Sequence, residues 1–269
     1  KANKRTFIFS KKDGQLKGVS VDNRKINFAN GPRFIGARRA DRSLDQFYNH
    51  DDEKAKEKDR TYSEFPDAAV FTKLDVKEDG GNLVVTANYK LGNLDKSQWT
   101  INPSGDLALD YTYNFSGVVD LMGIRFDYPE DQVISKRWLG AGPYRVWQNR
   151  IHGTQYDVWE NDYNDPIPGE TFTYPEFKGY FGDVSWMNIQ TKEGTISLTN
   201  ETPDTYIGVY QPRDGRDRLL YILPESGISV LNVIPPVRNK VNSTDLCGPS
   251  SQPKWVNGPQ TGRVIFRFM

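Results

Sequence analysis

A single cysteine, Cys247, stands in 269 residues. No internal disulfide can staple the fold, and cysteine usage neither demands nor excludes an oxidising compartment. Histidine is almost as scarce. His50 and His152 are the only two, and they form no zinc-ligand spacing, so neither a metal nor a cofactor is expected. Net charge is also missing: 35 basic residues balance 35 acidic ones, which leaves no broad field to attract nucleic acid or an anionic membrane surface. No apolar run is long enough to insert across a bilayer, and Lys1 to Arg5 is not followed by the apolar stretch of a signal peptide. The start without Met fits a processed protein or an excised domain. No Gly-Lys-Ser/Thr phosphate loop is present to support nucleotide chemistry.

What the chain does have is aromatic residues and short alternating segments. Six Trp, 14 Tyr and 14 Phe can pack a core or stack on flat ligands. Gln15 to Val21, Ala69 to Val76, Asn82 to Leu91, Leu107 to Phe115 and Met122 to Asp127 read as strands, as do Thr195 to Thr199, Asp204 to Tyr210, Gly227 to Ile234 and Arg263 to Phe268. Lys77-Glu78-Asp79-Gly80-Gly81 and Asn102-Pro103-Ser104-Gly105 read as turns, and Pro235-Pro236 stops a strand. Ser43 to Arg60 is heavily charged and has no apolar helix face, so a surface insertion is expected at about 43–60. The expected class is all-β, with residues 1–269 as one large sandwich domain, since no repeat or α/β alternation appears.

The densest unusual segment is Trp138-Leu139-Gly140-Ala141-Gly142-Pro143-Tyr144-Arg145-Val146-Trp147-Gln148-Asn149-Arg150, followed by Trp159. Its glycines permit a close turn, Pro143 restricts the exit, and its arginines can supply directional hydrogen bonds. These residues suit a polar groove bordered by rings, or equally a rigid core corner in which Trp138 and Trp147 pack.

The segment resembles the C-terminal large β domain of family 2 β-galactosidases, where Trp-x-Gly-x-Gly-Pro precedes a Glu, an aromatic residue and an Asp-Arg pair. Trp138, Gly140, Gly142 and Pro143 match that pattern, Trp147 takes the aromatic place and Arg150 the final arginine. Arg145 stands at the Glu position and Asn149 at the Asp position, and Arg38-Arg39-Ala40-Asp41-Arg42 does not keep the family's early Arg-x-Pro-x-Asp-Asn stretch. Gly31-Pro32, Trp99 to Gly105, Gly182 to Trp186 and Cys247 to Trp255 extend the resemblance along nearly the whole chain.

The resemblance implies a supersandwich related to galactose mutarotases, bordering the active site of a separate catalytic glycosidase domain in the same or an associated chain. It implies an oligosaccharide or glycoside as ligand. Trp159 would stack on the sugar, Arg150 and His152 would orient hydroxyls, and Glu176 would be a further carbohydrate contact. No residue is assigned a catalytic role: the acids around Trp159 (Asp157, Glu160, Asp162, Asp165) are not shown by proximity to oppose each other across a glycosidic bond. An independent carbohydrate-binding module and a mutarotase-like epimerase are the alternatives. Glycan processing outside the cell implies a periplasmic or extracellular location.

Overall fold

The computed structural model describes residues 1–39, 61–163, 165, 178–210, 223–237 and 248–269. The charged segment at 43–60, His50, Glu176 and Cys247 lie outside the described residues.

The chain first builds β1 (Arg5–Phe9), β2 (Leu16–Val21), β3 (Arg24–Ile26), β4 (Ala29–Arg39) and β5 (Tyr62–Glu64), then crosses to a meander of β6 (Val70–Asp79), β7 (Asn82–Lys90), β8 (Leu94–Ile101) and β9 (Leu107–Val119). It returns through β10 (Leu121–Asp127) and crosses again into the hairpin of β11 (Val133–Gly142) and β12 (Gln155–Asp162). The remaining strands are β13 (Phe181–Gly182), β14 (Trp186–Thr191), β15 (Gly194–Asn200), β16 (Tyr206–Val209), β17 (Ile228–Val233) and β18 (Lys254–Phe268). The first sheet runs β1-β2-β4-β10-β17-β16-β13, with β3 on β2 and β5 on β4. The second runs β12-β11-β14-β15-β18-β9-β8-β7-β6. The expected all-β class and large sandwich are met by these two antiparallel sheets, each of nine strands among the described residues.

Period-two alternation decides which side chains enter the core. In β8, Leu94, Trp99 and Ile101 are buried, and in β9 Leu107, Leu109, Tyr111 and Tyr113 are buried. Between the sheets Trp99, Phe28, Phe126 and Phe266 meet at ring-centroid distances of 4.9–6.4 Å. Successive residues of the first sheet alternate between two cores. Phe34, Met122, Ile124 and Val230 face the second sheet, whereas Ile35, Ala37, Leu121 and Leu231 join a smaller cluster on the opposite face with Val146, Trp147 and Tyr180.

Several boundaries differ from the sequence reading. Lys77 to Asp79 belong to β6 and only Gly80 and Gly81, at φ +57° and +82°, make the turn into Asn82. Strand β6 ends its sheet, where exposed charges are compatible with ladder pairing on one side. Strand β18 begins at Lys254 rather than Arg263, because β9 also continues to Val119 and pairs with it along its whole length. The turn at Asn102 is as expected: Gly105 N donates to Asn102 O at 3.0 Å, and Asp106 N to Asn102 Oδ1 at 2.8 Å.

Candidate functional site

The Trp138 segment is mostly strand rather than turn. Trp138, Gly140 and Gly142 share one face of β11, and the partner of Trp138 across the ladder is Trp159 on the outermost strand β12. Trp138 is fully buried. It packs edge-on against Phe181 at 4.9 Å and donates its indole N–H to Ala141 O at 3.0 Å. The glycines act by close approach. A Cβ at Gly140 would fall 2.9–3.0 Å from backbone atoms of Gly182, Asp183 and Val184, and one at Gly142 would fall 2.4 Å from Trp159 Cδ1. The first glycine lets the sheets meet backbone to backbone, and the second leaves a shelf for the Trp159 indole.

After Pro143 the chain crosses the end of the sandwich and covers the outer face of the first sheet. Val146 and Tyr180 exchange backbone hydrogen bonds, both at 2.7 Å, and Trp147, 3% exposed, meets Tyr180 edge-on at 5.7 Å. Gln148 donates to Gln252 O at 2.8 Å. Asn149 forms a two-way amide pair, donating to Val237 O at 2.9 Å and accepting from Val237 N at 2.8 Å. That pair ties the segment to the chain after Pro235-Pro236, and it uses a donor that an Asp would lack.

The structure brings three of the four expected sugar contacts onto this hairpin. Arg150 closes a tight turn, its N–H donating to Trp147 O at 2.9 Å, and its side chain is exposed. His152 is exposed two residues later, with its carbonyl accepting from Tyr144 OH at 3.2 Å. Trp159 is half-buried, its ring against Gly142 and its N–H donating to Gln155 O at 3.3 Å. The indole therefore has one face toward the core and an edge at the boundary of the sheet, while Arg150 and His152 are on the loop joining the two strands.

Arg145 is inside the fold rather than at a rim. The residue is 3% exposed and its guanidinium lies 5.8 Å over the Phe181 ring that Trp138 also contacts, and burial pulls its pKa down to about 10. Lys136 is buried nearby, donating to Asp162 O at 2.8 Å with its ammonium 5.1 Å over the Tyr163 ring. Burial, then the charge of Arg145, holds the Lys136 pKa well below its ordinary value. Among the described residues no group of His, Cys, Asp and Glu is placed to hold a metal ion.

Sequence reading missed a second polar feature, an open groove of about 1090 Å³ at the other end of the first sheet's outer face. None of Trp159, Arg150 and His152 lines it. Arg33 on β4 and Arg125 on β10 stand directly opposite in the ladder. Arg33 pairs with Asp127 and Arg125 with Glu64. Asn30 donates to Asp127 at 2.8 Å and accepts from Lys17 at 3.1 Å. The only sequence signal was that Arg125 and Asp127 share a face of an alternating strand; Arg33 reaches them by a pairing across some ninety positions.

The Beta galactosidase small chain family pattern matches residues 1–231. The chain belongs to that family. Among solved structures, this family member is similar to the alpha-N-acetylgalactosaminidase NagBb from Bifidobacterium bifidum (11% identity, 100% of this chain and 35% of that one, TM-score 0.45). It is also similar to galactose 1-epimerase from Lactobacillus acidophilus (10% identity, 100% and 92%, TM-score 0.46) and to a galactose mutarotase-like protein from Clostridium acetobutylicum (9% identity, 100% and 93%, TM-score 0.43). The comparison with curated proteins gives no match. Family membership makes this a beta-galactosidase small-chain domain, with a place in carbohydrate metabolism.

Proposed function

We propose that this chain is an accessory domain of a glycoside hydrolase of the family 2 kind. In this reading residues 1–269 form one sandwich domain that docks beside a separate catalytic barrel, in the same or an associated chain, and completes the outer part of its sugar pocket. The observation that carries it is the family match over residues 1–231. The β11–β12 hairpin supports it by presenting Trp159, Arg150 and His152 together. The Trp159 ring offers an apolar platform for a sugar face, and the exposed Arg150 and His152 offer hydroxyl partners. Export of the assembled enzyme belongs to the same proposal.

Hydrolysis of a nitrophenyl β-galactoside tests it, with the chain alone, the catalytic chain alone and the two combined. Turnover is expected only where the catalytic chain is present, and Trp159→Ala in the combined enzyme should lower kcat/KM roughly tenfold, the size of one lost stacking contact of about 1.4 kcal/mol. Robust hydrolysis by this chain alone, abolished by replacing one of its own carboxylates, would overturn the reading. The groove on the first sheet favours a second reading, in which the chain also binds carbohydrate by itself.

A further inference from the structure

We propose that the groove around Arg33, Arg125 and Asp127 is a binding site for a neutral sugar, separate from the Trp159 hairpin. The proposal rests on the carbohydrate reading above and deepens it. Like charges directly opposite on neighbouring strands destabilise a sheet, yet Arg33 and Arg125 occupy such a pair on one face. Each is held by its own carboxylate, Asp127 and Glu64. Arg125 also donates to Glu225 O at 2.6 Å, and its Nε is a buried donor with no hydrogen-bond partner among the described residues. A like-charge pair at one ladder position is the kind of local conflict that natural proteins carry at functional or strained sites.

Charge selects the ligand class. Among the described residues, four basic and four acidic side chains line the groove, and these balance, giving an anion no net attraction. A phosphate seated on either guanidinium would compete with Asp127 for Arg33 or with Glu64 for Arg125. A hydroxyl need displace neither: it can donate to a free lone pair of Asp127 while accepting from a guanidinium or from Lys25. The groups are also pre-set. Asn30 fixes Asp127, Arg33 donates its Nε to Asn30 O at 2.9 Å, and Tyr210 OH donates to Tyr128 O at 3.0 Å, bracing the far wall. The cost of ordering these groups on binding is correspondingly small. The volume of about 1090 Å³ is ample for a mono- or disaccharide.

The test titrates the full chain with D-galactose, D-glucose, lactose and inorganic phosphate, up to about 100 mM to reach millimolar affinities, followed by calorimetry and by NMR shifts. Saturable binding of at least one sugar is expected. Asp127→Asn should weaken it roughly tenfold, and Lys25→Ala, an exposed change that leaves the arginine pairs intact, a few-fold. Circular dichroism melting checks that both variants fold. Sugar affinity unchanged in both variants but lost in Trp159→Ala would overturn the groove assignment, as would absence of sugar binding or binding of phosphate alone. The accessory reading is decided separately by the partner's activity with Trp159→Ala, in which no groove residue takes part.

Discussion

Trp138 and Trp159 face each other across one ladder position, and truncating each to alanine should give very different outcomes. Trp138 is wholly buried, meets Phe181 edge-on and has its N–H satisfied. Its loss opens a cavity between sheets that cannot collapse, because backbone of β13 lies against Gly140, so about 3–5 kcal/mol is expected. For a chain of this size that is roughly 6–15 °C in Tm. Trp159 is half-buried on an outermost strand, where solvent can enter the space left, so about 1–2 kcal/mol and roughly 2–6 °C are expected. Gly142→Ala is the complementary probe. Its φ lies outside the left-handed region, and the three nearest obstacles are all Trp159 ring atoms, 2.4–2.7 Å away, so the indole should swing outward and its emission shift to the red. Calorimetric melting of the three variants, with fluorescence of Gly142→Ala, decides the matter. An equal loss of stability in Trp159→Ala and Trp138→Ala would refute the platform argument and make Trp159 a core residue.

Gly140→Ala should be more damaging than Gly142→Ala, by about 1–3 kcal/mol in denaturant unfolding, because the obstacle is backbone rather than a side chain that can move. Asn149→Asp, which restores the acid of the resembled pattern, removes the donor to Val237 O and sets a carboxylate beside that carbonyl; about 1–3 kcal/mol should be lost in urea titrations at pH 7 and partly regained on acidification. Lys136→Met should be neutral or stabilising by about 1 kcal/mol, since a buried ammonium is exchanged for an apolar chain of similar length. The sign with pH follows from its lowered pKa: between that value and the ordinary 10.5 the unfolded chain holds a proton that the folded chain lacks, so wild-type stability rises with pH relative to Lys136→Met. Parallel pH profiles of the two proteins would expose an error, because the buried tyrosines contribute equally to both.

The sequence by itself determined the fold class and most of the strands. Alternation in Asn82 to Leu91 and Leu107 to Phe115 is a local pattern, and a period of two has one structural meaning when turns such as Asn102 to Gly105 bound it. It also marked Trp138 to Arg150 as unusual, because close glycines beside tryptophans and a proline are rare and local. Only the tertiary structure decided what those residues do. Gly140 reads as a turn until β13 is laid against it, Arg145 reads as a rim donor until Phe181 lies beneath it, and Asn149 acquires its purpose from Val237. The groove was illegible for the same reason. Arg33, Arg125 and Glu64 come together through ladder register between distant strands, and register is fixed by which faces the whole sandwich buries, a property that no single segment carries.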